Sequence, residues 1–178
     1  MNTLSTDPYK AAFAGGLVGS ILVALLACAF LWYILLVIAG WKILEKAGQP
    51  GWKALIPIYN TYILYKIVGM QEWWWGMIGI TLLYSIIAAG AGYSPYMTEE
   101  ELAAFDIGAH PVFIVSTLAT LIISIWINVA HASRTAKVFG HDIGYTIGLL
   151  FLPSIFRLIL GFGSSKYDKK YYKKHYQK

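Results

Sequence analysis

The chain reads as an all-α integral membrane protein, with three transmembrane helices and two proline-broken elements that re-enter the bilayer or lie in its interface. Three observations carry that expectation. The 178 residues are 58% hydrophobic and 13% charged, with a mean hydropathy of +0.58, whereas soluble domains are about 45–50% apolar and about 25% charged. Three segments reach the roughly 20 apolar residues needed to cross about 30 Å of hydrocarbon. Two further apolar segments are each interrupted by a single proline, Pro57 and Pro153. Proline removes a backbone donor and clashes with the preceding turn, and lipid offers the freed groups no other partner.

Taken in order, the first span is read over 14–38. The apolar run around it, about 27 residues without a basic n-region, is too long for a signal peptide. Segment 54–68 follows, carrying Pro57, Asn60 and Thr61; at roughly 22 Å as a helix it is too short to cross. The second span is 73–91 and the third 111–130. Trp73, Trp74 and Trp75 open the second span and, with Trp41 and Trp52, read as interfacial anchors. Segment 143–162 is long enough to span but contains Pro153 and Arg157. Residues 1–165 therefore form one membrane domain, and 166–178 form a basic tail rich in lysine and tyrosine.

Charge sets the orientation. The loop 92–109 holds Glu99, Glu100, Glu101 and Asp106 with no Lys or Arg. Every other polar stretch is basic: Lys42, Lys46 and Lys53, then Arg134 and Lys137, then six lysines from Lys166 to Lys178. If the basic stretches are cytoplasmic, the N-terminus lies outside, the C-terminus inside, and segment 143–162 must dip in and return. Reading it as a fourth span leaves six lysines outside and Arg157 in the bilayer, at about 2.5–3.5 kcal/mol on the insertion scale. A plain four-span protein whose short tail escapes the charge rule is the competing reading.

Stretches 46–66 and 137–157 echo one another. Each opens on a cation closing an apolar segment, passes a glycine and an aromatic, and enters an apolar run broken by one proline and followed by Lys66 or Arg157. The echo suggests two similar units, each a span followed by a broken element.

Polar groups in or beside a bilayer are the default functional candidates: Asn60, Thr61, Lys66, Asn128, His131, Arg134 and Arg157, with His141 and Asp142 nearby. Asn128, His131 and Arg134 are spaced by three, which puts them towards one face of the third helix. Either they satisfy backbone freed at the prolines, or they line a shallow cavity between the two broken elements. His131, His141 and Asp142 lack the tight spacing of a metal site, and no hydrolase or phosphate-loop motif occurs. No cofactor or catalytic residue is assigned, and the expectation is a non-enzymatic protein. Cys28, the sole cysteine, reads as a small apolar packer. The lysines of the tail favour contact with anionic lipids. A solvated, disordered, membrane-hugging tail is favoured over one whose tyrosines stack on RNA bases.

Four motifs resemble a known family of unknown function. They are Lys-Ala-Gly-Gln-Pro-Gly-Trp-Lys-Ala-Leu-Ile-Pro-Ile-Tyr-Asn-Thr-Tyr-Ile-Leu-Tyr-Lys-Ile at 46–67, Trp-Trp-Trp at 73–75, Ala-Lys-Val-Phe-Gly at 136–140, and Ile-Gly-Leu-Leu-Phe-Leu-Pro-Ser-Ile-Phe-Arg-Leu-Ile-Leu-Gly-Phe-Gly-Ser-Ser-Lys-Tyr at 147–167. The family is a bacterial membrane domain found as a small stand-alone protein. A similar domain precedes the catalytic part of some signal peptidase I proteins, notably in Bacteroidetes. The resemblance covers roughly 41–167 and implies a cytoplasmic end to the domain. It supplies no catalytic residues, and the acidic stretch 99–106 does not match its pattern. The resulting expectation is a small protein of the bacterial inner membrane. It would act as a scaffold or accessory subunit packing against another membrane protein or a second copy, with a link to export or envelope assembly. The alternative is a small carrier or lipid-handling protein with its site between the broken elements.

Overall fold

The computed structural model describes residues 8–176, with side-chain exposure from residue 16 onward except at 107. All regular elements among them are helical. Three helices are long and apolar enough to cross a membrane: α1 (Pro8–Lys46), apolar over Gly16–Lys46, α3 (Gln71–Gly90) and α5 (Pro111–Val138). Between the first two lie a 3-10 turn, Gly51–Leu55, and α2 (Pro57–Lys66). Between the second and third lies the short α4 (Glu99–Ala104). After α5 come α6 (Ile143–Phe151), α7 (Pro153–Phe162) and α8 (Lys169–Tyr176).

The prolines mark breaks. Pro57 and Pro153 are each the first residue of a ten-residue helix, where a missing N–H costs nothing because that position has no intrahelical partner. Both helices follow a residue outside helical geometry, Ile56 and Leu152. Neither α6 nor α7 is long enough to cross the bilayer alone: nine and ten residues give roughly 14 and 15 Å. They pack on each other, the Tyr145 hydroxyl donating to the Phe156 carbonyl at 2.7 Å. A methyl group at Gly148 would collide with the Phe156 ring.

The helices converge on one end of the molecule, which forms a base. There, Ile43 and Leu44 of α1, Ile63 and Tyr65 of α2, Ile127 and Val138 of α5, and Leu160 of α7 share one buried cluster with Val68 and Met70. α7 lies against α1 and α6 against α5. Gly161 is buried so tightly on α1 that an added methyl would sit 2.8 Å from the Ala39 backbone. α3 leaves the base beside α5, with Trp73 edge-on to Trp126 at 4.9 Å. At its far end Phe105, between α4 and α5, packs on Tyr93 and Phe113. α1 differs from the other long helices: every side chain over 16–35 is exposed.

α1 and α5 end alike. Gly48 and Gly140 take φ of +74° and +73°, a conformation that suits glycine. The amides of the next residues, Gln49 and His141, donate back to Leu44 and Ala136 at 2.8 and 2.9 Å, closing a Schellman motif.

Two expectations are corrected here. The helices run past the segments read as spans, α1 to Lys46 and α5 to Val138, and their last turns enter the base. The tail, expected to be solvated and disordered, instead forms α8 over Lys169–Tyr176, packed across the base. The Tyr167 hydroxyl donates to the Ile67 carbonyl at 2.6 Å, and the Tyr172 hydroxyl to the Lys66 carbonyl at 3.3 Å. Of the tryptophans, Trp41 donates to Glu45 at 2.6 Å and covers Gly51, Trp74 packs edge-on to Tyr62, and Trp52 and Trp75 stay exposed.

Candidate functional site

A cavity of about 190 Å³ lies where the two proline-started helices approach α5. α5 contributes Asn128, His131, Ala132 and Thr135, and α2 with its C-terminal turn contributes Leu64 and Ile67. α6 and α7 contribute Leu149, Leu150, Pro153, Arg157 and Leu160, and α1 contributes Ile43. The cavity is thus bounded by both broken elements and by the ends of two long helices. A water occupies about 30 Å³, so the space holds several waters or one small organic group.

Its polar lining is specific in sign. Asn128, His131, Thr135 and Arg157 face it, and no Asp or Glu lines it. His131 stacks on Tyr65 with ring centroids 4.4 Å apart, and its Nε2 is enclosed without a hydrogen-bond partner. Buried polar atoms are rarely left unpaired, which marks this nitrogen as available to an occupant. The Asn128 amide donates to the Ser124 carbonyl at 2.8 Å; its oxygen has no such tie to the helix. The Thr135 hydroxyl donates to the His131 carbonyl at 2.8 Å, stiffening the turn that carries the imidazole. Pro153 begins α7 and Arg157 lies one turn later, so the break that starts the helix also sets the register bringing Arg157 to the cavity.

The remaining sequence candidates lie elsewhere. Arg134 donates to the Gly69 carbonyl at 3.0 Å, and its guanidinium sits 4.7 Å from the Tyr176 ring centre. It closes the turn between α2 and α3. Each step of three residues retreats about 60° around a helix, and by the second step Arg134 has left the cavity face. The stripe that does face the cavity is 128, 131 and 135, the i, i+3, i+7 spacing. Thr135 was therefore findable from spacing alone. Asn60 faces Gly40 of α1, with its Oδ1 buried and unpartnered. Thr61 donates to the Pro57 carbonyl at 3.0 Å within α2. Lys66 borders a second hollow with Lys169 and Lys173 of α8. His141 stacks on Tyr145 at 4.0 Å and Asp142 precedes α6; neither lines the cavity.

Two cations serve the backbone across the molecule. Lys46, at the end of α1, donates to the carbonyls of Leu160 and Gly163 at 2.5 and 2.7 Å, satisfying the C-terminal end of α7. Arg134 does the corresponding work just beyond α2. Each proline-started helix is thereby finished by a cation from the other half of the chain.

Neither a curated protein nor a solved structure matches the chain. A family does, over residues 52–94 and 100–170. The matched segments take in α2, α3, α5, α6, α7 and all the polar cavity residues, and include most of the acidic stretch that the sequence motifs left unmatched. On that coverage, well over half its length, the chain belongs to the family of unknown function DUF5684.

Proposed function

We propose that this chain is a non-enzymatic membrane protein that binds a small or lipid-derived ligand between its two proline-started helices. The observation that carries the reading is the convergence of Asn128, His131 and Arg157 on one cavity bounded by α2, α5 and the α6–α7 pair. Polar groups in or beside a bilayer are functional candidates, and interrupted helices build such sites in transporters. Filling the cavity tests it. Ala132 is buried and lines the cavity. In native mass spectrometry of gently extracted protein, the wild type is expected to carry a bound small molecule that Ala132→Phe lacks, while circular dichroism stays unchanged. An empty wild type, or a variant that keeps the bound mass, would sink the reading.

The orientation we propose is an outside N-terminus and a cytoplasmic base in a bacterial inner membrane, with α6 and α7 re-entering from the cytoplasmic side. Support comes from the acidic α4 lying at the opposite end of α3 from the base, which carries Lys46, Lys66, Arg134 and α8. The short lengths of α6 and α7 support the re-entrant part. Reporter fusions after residue 178 and within 98–106 are expected to signal from opposite sides; signals from the same side refute it.

One observation favours a second reading, a scaffold or accessory subunit in export or envelope assembly. The outer half of α1, exposed throughout 16–35, has an apolar surface that another membrane protein or a second copy would fit as well as lipid does.

A further inference from the structure

We infer that the occupant of the cavity carries one compact anionic group, a carboxylate or a phosphate monoester, on a short apolar body; this rests on the cavity being the functional site. The chain has nine acidic residues, yet none lines the cavity that Arg157 borders. A guanidinium remains charged at any accessible pH, and beside an apolar-walled cavity that offers it no carboxylate it favours an occupant that brings the counter-charge. His131 offers the second contact. Its Nε2 is enclosed and unpartnered, and the residue lines the same cavity from α5; in the Nε2–H form it donates to an oxyanion. Asn128 can orient a third oxygen or a neighbouring hydroxyl.

Guanidinium, imidazole and amide in one carboxylate-free cavity select for an oxyanion of planar or tetrahedral shape. Water alone fits less well, because apart from Thr135 the rest of the wall is apolar, Ile43, Leu64, Ile67, Leu149 and Leu160 among it, and those side chains offer water no hydrogen bonds. The volume of about 190 Å³ admits a charged head with a few carbons and excludes the two acyl chains of a phospholipid. Such a group can arrive on a soluble molecule or on the end of a single-chain lipid, and the experiment separates the two.

The test is thermal unfolding of the full-length protein in a neutral detergent, titrated with hexanoate, hexyl phosphate, hexanol, oleate and lysophosphatidic acid. A ligand that binds only the folded state raises the midpoint in proportion to its occupancy. At least one short anion is expected to stabilise saturably while hexanol does not. Arg157→Gln should weaken apparent affinity tenfold or more and Arg157→Lys should recover part of it. Arg134→Gln, which lies off the cavity, should change affinity less than twofold. Short anions binding as tightly as the long-chain ones assign a soluble source; a tenfold preference for oleate or lysophosphatidic acid assigns a lipid source. If hexanol binds as well as hexanoate and Arg157→Gln is indifferent, the anionic ligand is wrong while the cavity reading survives. If no probe binds and Ala132→Phe changes nothing, both fall.

Discussion

After Gly48 the chain makes one 3-10 turn and restarts at Pro57; after Gly140 it builds the nine residues of α6 before restarting at Pro153. Both restarts yield helices of ten residues, and both follow the same glycine-closed helix end. The insertion of about one helical turn therefore decides what each unit does. In the first unit the turn keeps α2 close to the end of α1, with Trp41 laid over Gly51. In the second, α6 gives α7 a partner of its own and carries it across to α1, where Gly161 meets Ala39. The first unit supplies the floor of the cavity through Leu64 and Ile67, the second its charged wall through Arg157. Similar punctuation with a different spacer yields two non-equivalent halves of one site.

The sharpest way to break this comparison is at the glycines. Gly161→Ala puts a methyl against the backbone of Ala39, which cannot rotate away, whereas the same change at Gly51 meets a Trp41 ring that is 37% exposed. Overpacking in a tight contact costs about 1–3 kcal/mol, and Gly161→Ala is expected in that range with Gly51→Ala well below it. Equal drops in thermal midpoint would mean the second unit is not the more closely packed.

Next come the cross-connecting cations. Lys46→Met frees two carbonyls at the end of α7, and Arg134→Met frees one beyond α2. Bonds to charged groups contribute about 1.5–3 kcal/mol. Lys46→Met is expected near the lower end, because its bond to Gly163 is exposed, with Arg134→Met costing less again. A larger loss at Arg134 in denaturation experiments would reverse the order of dependence between the units.

The smallest effect concerns Tyr167, which holds α8 to the turn after α2. Burial, and after it the neighbouring Tyr172, raises the pKa of its hydroxyl. A raised pKa in the folded chain gives a contribution that is complete below the ordinary tyrosine value of about 10 and declines as pH rises beyond it. Stability should therefore fall on the alkaline side, and Tyr167→Phe should flatten that fall while lowering the plateau. An unchanged alkaline limb would remove Tyr167 from the account.

Proline and charge made the skeleton legible before any coordinates. A residue without an N–H, followed by polar groups in an apolar run, has few places to go in lipid, and Pro57 and Pro153 went there. Asn128, His131 and Arg157 were legible for the same reason, as polar side chains that hydrocarbon would reject. Arg134 was misassigned to their face because a spacing of three drifts around a helix, and Thr135 was the residue to pair with His131. What could not be read were the long-range ties. Lys46 to Leu160 and Tyr167 to Ile67 join residues 114 and 100 apart, and no local pattern distinguishes these side chains from neighbours that point to solvent.

The reach of Lys46 also has a consequence in time. Translation proceeds at about 5–20 residues per second, and Leu160 follows Lys46 by 114 residues, a delay of roughly 6–23 s. During that interval α1 is already made while the helix that covers Ala39 and completes the cluster around Ile43 and Leu44 does not yet exist. α1 thus leaves the ribosome well before the residues that lock it in place, and premature termination before residue 160 leaves it without its anchor.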